Sequence, residues 1–151
     1  MPPEIHMPRR LSPIIVALCL VFASTTTTAA AEPPVILQGD AAVVARLLDP
    51  YRELIQQQAE APLIVLPSAP LKGLVAVIEG RADVALVMGS CVAIFIAMFS
   101  SRPEFAGTDL RVFEVDRLDG HVSNFVTRGA PDIRLERLIA AARSVAAAHP
   151  L

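Results

Sequence analysis

Apolar residues in this 151-residue chain come in short blocks separated by Gly, Pro, Ser and Asp. Val35-Ile36-Leu37-Gln38 is one such block, stopped by Gly39, and reads as a buried strand. Asp40 stands where a helix N-cap belongs. Behind it, Val44, Leu47, Leu48, Tyr51, Leu54 and Ile55 recur at helical spacing. Pro50 interrupts that pattern, and Asp49-Pro50 is itself a cap followed by a first-turn proline. The segment therefore predicts either a kinked helix or two short helices in tandem. Leu63-Ile64-Val65-Leu66 is the next strand, bounded by Pro62 and Pro67. Ser68 offers a cap and Pro70 a first turn. Leu71, Leu74, Val75 and Ile78 follow at i, i+3, i+4 and i+7, and Gly80 supplies a left-handed stop. Ala82 to Met88 is a third apolar strand, carrying only Asp83 as a charge.

The remaining elements follow the same logic. Cys91 to Phe99 reads as an apolar helix capped by Ser90, and residues 100–108 as a loop. Leu110 to Val115 and Val122 to Thr127 read as strands of a hairpin with Asp119-Gly120 at its turn. Pro131-Asp132 opens a last helix, with a stripe through Ile133, Leu135, Leu138, Ile139, Ala142 and Val145. Strand, helix, strand, helix, strand with continuous apolar strands predicts an α/β fold. Its sheet is expected to be mainly parallel and flanked by helices on both faces, three layers in all.

The first 31 residues follow a different pattern. Arg9 and Arg10 precede an apolar run from Leu11 to Ala23, then a Ser/Thr stretch, then Ala29-Ala30-Ala31. This is the layout of a secretory signal with cleavage after Ala31. The run is shorter than the about 20 residues a membrane span needs. Leu18 before Cys19 does not suit a lipid-anchor site. The expected organisation is a signal over residues 1–31 and a single domain over residues 32–151, placed in the periplasm or secreted. Cleavage removes Cys19 and leaves Cys91 alone, so no intramolecular disulfide is expected.

Composition narrows the function. Thirteen Lys+Arg against fifteen Asp+Glu, net −2, gives no basic excess for nucleic acid. An apolar fraction of 54% with 19% charged residues excludes a disordered chain. His121 and His149 are the histidines beyond the signal, too few with Cys91 for a metal cluster. No phosphate-binding loop, dinucleotide fingerprint or nucleophile elbow is present. The expectation is a protein that is not an enzyme, with no catalytic residues, no metal and no cofactor.

One stretch carries a family resemblance. Pro50-Tyr51-Arg52-Glu53-Leu54 precedes an apolar strand. Ser68 and Lys72-Gly73-Leu74 follow, then Glu79-Gly80-Arg81-Ala82-Asp83-Val84-Ala85. Residues 35–90 resemble the first lobe of the phosphate-type periplasmic solute-binding proteins of ABC transporters, which have the type II binding-protein fold. The resemblance implies one such lobe, shortened from a two-lobed clamp. It also implies a small oxyanion such as phosphate held at the turns Gly39-Asp40-Ala41, Ser68-Ala69-Pro70 and Met88-Gly89-Ser90. The implied ligand-binding residues are Gly39, Asp40, Ala41, Ser68, Ala69, Gly89 and Ser90, with a membrane permease as partner. Such a site suits an anion because strand ends and helix N-termini present free backbone N–H groups.

The chain departs from the family pattern at each turn. Asp40 replaces a hydroxyl residue and brings a negative charge. Ala69 and Pro70 stand where glycine and serine are usual, and Pro70 has no N–H. Gly89-Ser90 replaces an arginine. Each lost charged hydrogen bond costs about 1.5–3 kcal/mol, and about 1.4 kcal/mol is tenfold in affinity. Two expectations follow. One is oxyanion binding in ABC-type uptake, weakened or lost. The other is a ligand-free interaction module that uses the same lobe for a protein partner or a second copy, hiding apolar surface around Ile94 to Phe99.

Overall fold

The computed structural model describes residues 30–89, 92–118 and 120–150. The strands are β1 (Val35–Asp40), β2 (Leu63–Ser68), β3 (Val84–Met88), β4 (Leu110–Leu118) and β5 (His121–Arg128). Between β1 and β2 runs a helical segment of three parts: α1 (Ala41–Val43), a π turn (Val44–Leu48) and α2 (Asp49–Ala59). Then come α3 (Pro70–Ile78), α4 (Val92–Ser100), a 3₁₀ turn (Pro103–Phe105) and α5 (Ile133–Ala148).

The five strands form one sheet in the order β2-β1-β3-β5-β4. β1 pairs parallel with β2 and β3, whereas β5 pairs antiparallel with β3 and β4. The sheet is thus mixed, and the expectation of a mainly parallel one holds only for β1 to β3. The physical reason is the tight connection from Leu118 to His121, which turns β5 back antiparallel to β4 before it inserts beside β3. Val122 to Thr127 are buried on both faces, so this strand belongs inside the sheet. β4 carries Arg111, Glu114 and Arg117 exposed and takes the edge.

Helices cover both faces, giving a three-layer α/β/α unit. On one face, the segment after β1 and α5 close over Val35, Leu37, Val84, Leu86 and Phe125. On the other, α3 and α4 cover Ala85, Val87 and Val126 through Leu74, Val77, Val92 and Phe99. No helix among the described residues is long and apolar enough to cross a membrane.

Pro50 explains the irregular helix. It has no N–H to return to the preceding turn. The turn before it widens instead: Asp49 N–H donates to Val44 O, five residues back. Tyr51 leaves helical geometry at φ −124, ψ 16. The result is one helical path with a kink, which joins the two expectations for this segment.

The end of α3 is a Schellman motif, as Gly80 suggested. Gly80 N–H donates to Val77 O and Arg81 N–H to Ala76 O, with Gly80 at φ +73. Its start differs from expectation. Ala69 occupies the N-cap position without a side-chain bond, and Ser68 Oγ donates to Ala69 O. Asp83, the one charge expected in β3, lies just before it. Its Oδ2 accepts from Ile36 N–H at 2.8 Å, and Arg134 reaches from α5 to its Oδ1 at 3.3 Å.

Asp132 caps α5 by accepting from Leu135 N–H at 2.9 Å. Asp132→Ala leaves that donor unpaired. It should lower stability by about 1 kcal/mol, seen as a reduced urea midpoint at constant slope.

Candidate functional site

Parallel strands put their C-terminal ends on one rim, and β2, β1 and β3 are neighbours there. β1 leads into the helical segment on one face, and β3 leads into α4 on the other. Adjacent strands whose connections leave to opposite faces open a crevice between them, the usual ligand position in such sheets. Six of the seven expected ligand residues fall on this rim: Gly39 and Asp40 at the end of β1 with Ala41 after it, Ser68 at the end of β2 with Ala69 after it, and Gly89 after β3. Asp40 and Ser68 are register partners. At about 4.8 Å per strand, the three turns lie within roughly 10 Å of one another. Ser90, the seventh, lies outside the described residues.

Gly39 shows why the backbones come so close. It pairs with Leu86 at φ +148, and a Cβ there would meet Leu86 O and lie 2.7 Å from Leu86 N. Only glycine fits this contact and this conformation.

The geometry at Asp40 decides what the crevice offers. Its Oδ1 accepts from Ala42 N–H at 2.9 Å, capping the helix. Its Oδ2 accepts from Met88 N–H at 3.4 Å. The carboxylate therefore spans the crevice, with one oxygen on each bank. Gly89 is engaged too: its N–H donates to Val122 O at 2.7 Å, and its carbonyl accepts from Asn124 Nδ2 at 3.0 Å. At the turn after β2, Lys72 N–H and Gly73 N–H both donate to Ala69 O. Ser68 Oγ donates to that same carbonyl, and Pro70 has no N–H. The structure brings the three turns together, with Gly89 N–H, Ala42 N–H and the Ser68 hydroxyl already engaged within the protein.

Two contacts that sequence reasoning missed hold the crevice in this form. Met88, placed at the third turn, supplies the second N–H to Asp40. Asn124 is buried and donates to Val87 O and Gly89 O, fixing the end of β3. Its signal was available: Ser123-Asn124 interrupts the apolar strand Val122 to Val126, and buried amides are kept where they have partners. On the same rim, Asp116 stands opposite Ser123 and lies 3.7 Å from Arg46, an ion pair stretched past hydrogen-bond reach. His121 is exposed at the start of β5, and Cys91 lies outside the described residues.

No family model, curated protein or solved structure matched the chain.

Proposed function

We propose that the protein is an exported interaction module built on a solute-binding-protein-like lobe, in which Asp40 has taken the place of the oxyanion. The observation that carries this reading is the carboxylate of Asp40 set between Ala42 N–H and Met88 N–H. A carboxylate at a helix N-terminus gains the same dipole and donor interactions an external anion would seek. A phosphate entering there must displace it and face its charge. The shortened, type II character of the lobe belongs to this proposal and rests on the resemblance of residues 35–90.

A second observation favours a protein partner. Among the described residues, seven large apolar side chains are exposed. Ile64, Leu66, Leu71, Phe95, Met98 and Val112 all belong to the α3/α4 side of the sheet; Ile133 is the exception. Surface of that kind concentrated on one side marks an interaction face.

The test is thermal unfolding with and without millimolar phosphate or sulfate. The wild-type protein is expected to show no shift. Asp40→Ser keeps a good N-cap but removes the charge, and is expected to gain a rise of several degrees with either anion. A clear shift in the wild type would overturn the proposal. It would favour the other reading, oxyanion binding for uptake with a membrane permease.

A further inference from the structure

Two backbone irregularities meet on the α5 face of the sheet. On β4 the register slips between Glu114 and Asp116, and the extra residue is Val115. A bulge of this kind bends the strand and re-aims the side chains beside it. Val115 packs into the core beneath α5, and Asp116 follows it inward to Arg46. Without the extra residue, alternation would turn Asp116 to the opposite face, with Val112 and Glu114. Arg46 comes from the π turn, the other irregular stretch. Ser123 stands across from Asp116 on β5 and shares the Phe125 face.

These three side chains gather without completing their contacts. Arg46 Nη2 stops 3.7 Å from Asp116 Oδ2, beyond a hydrogen bond. Asp116 Oδ2 and Ser123 Oγ are buried, and neither has a hydrogen-bond partner among the described residues. Ser123 as a whole is only 1% exposed. Buried polar atoms are nearly always paired. A small molecule that donates to the carboxylate and to the hydroxyl oxygen, and accepts from the guanidinium, satisfies all three at once. Charge narrows its identity. The carboxylate repels an anion, and the guanidinium beside it repels a cation. Burial leaves room for nothing large.

We infer that Arg46, Asp116 and Ser123 hold one internal water molecule. A buried water makes about three hydrogen bonds to groups otherwise unsatisfied, the number offered here. Its two protons go to Asp116 Oδ2 and Ser123 Oγ, and its oxygen accepts from Arg46 Nη2. An ion pair too long for a direct hydrogen bond is one that a bridging water completes. The site ties the helical segment to the β4–β5 hairpin next to the crevice. Ser123 is the register partner of Met88, whose N–H meets Asp40. Asp40 and Arg46 both belong to the stretch of chain that runs from the end of β1 into the helical segment. The water is thus a second tie between the two banks, alongside the Asp40 carboxylate. It is independent of what the crevice binds, so the phosphate experiment bears on it in neither direction.

The experiment is a high-resolution crystal structure of the full-length protein, paired with water-to-amide magnetisation transfer by NMR. One water is expected within about 2.6–3.2 Å of Asp116 Oδ2, Ser123 Oγ and Arg46 Nη2. In solution, the amides of Asp116 and Ser123 should show cross-peaks to a long-lived water. Ser123→Ala removes one anchor. Those cross-peaks should disappear, and the melting temperature should fall by about 3–5 °C. Where the variant does not fold, the wild-type density and spectra decide alone. A direct hydrogen bond from Ser123 or Arg46 to Asp116 Oδ2, with no water between, overturns the inference. So does an ion bound at this position, or a Ser123→Ala protein as stable as the wild type.

Discussion

Gly73→Ala should destabilise the protein, against the rule for helix interiors. In an ordinary helix this change gains about 1 kcal/mol, because alanine has the higher propensity. Here α3 lies directly on β1. A Cβ at Gly73 would meet Gln38 O, with Gln38 C and Gly39 Cα each 2.9 Å away. All three are backbone atoms of a strand paired on both sides, so none can rotate aside. The helix must lift, and lifting loosens Leu74 and Val77, both buried beneath it. Overpacking of this kind costs about 1–3 kcal/mol, and the disturbed core adds to that. The net expectation is a loss of about 2–4 kcal/mol, or on the order of 10 °C in melting temperature. Calorimetry checks the sign first: an unchanged or raised melting temperature would mean that α3 does not sit this close to β1.

Phe125→Ala should cost more. Phe125 is fully buried and among the largest such side chains. It sits on β5 between Leu86 of β3 and Phe113 of β4, on the face closed by the helical segment and α5. Truncating a buried phenylalanine costs about 3–5 kcal/mol, from lost transfer energy and the cavity left behind. That is a large fraction of the 5–15 kcal/mol typical of a domain. Guanidinium unfolding should show the loss, while Val112→Ala on exposed β4 surface should stay within about 0.5 kcal/mol. Equal effects at the two positions would contradict the placement of β5 inside the sheet.

Local features were legible in the chain, and pairings across distance were not. The apolar runs at Val35, Leu63 and Val84 gave three strands. The i, i+3, i+4 pattern through Leu71 and Ile78 gave α3, and Asp132 gave the start of α5. Each depends on neighbours within a few residues. The direction of β5 beside β3 does not. A strand buried on both faces reads the same whether its neighbour runs parallel or antiparallel. The π turn was half legible: Pro50 announced a disturbance, but a kink and a break look alike until the path of the chain is seen. At the candidate site, the turns after β1, β2 and β3 could be placed on one rim from their order. The second hydrogen bond of Asp40 could not, because Met88 is distant in sequence and gives only a backbone N–H, which no side-chain pattern records.

The position of β5 also sets the sequence of events as the chain folds. β1, β2 and β3 lie within residues 35–88, with only local crossovers between them. They can assemble while the rest is still being made. β3 then waits for a neighbour that arrives last among the strands, brought back by a hairpin ending at Arg128. Until then, Val84 to Val87, buried in the finished fold, stand along a bare sheet edge. That edge is a template for any passing strand. The hairpin acts as a closing clasp, and the interval before it shuts is when the nascent chain is most open to the wrong partner.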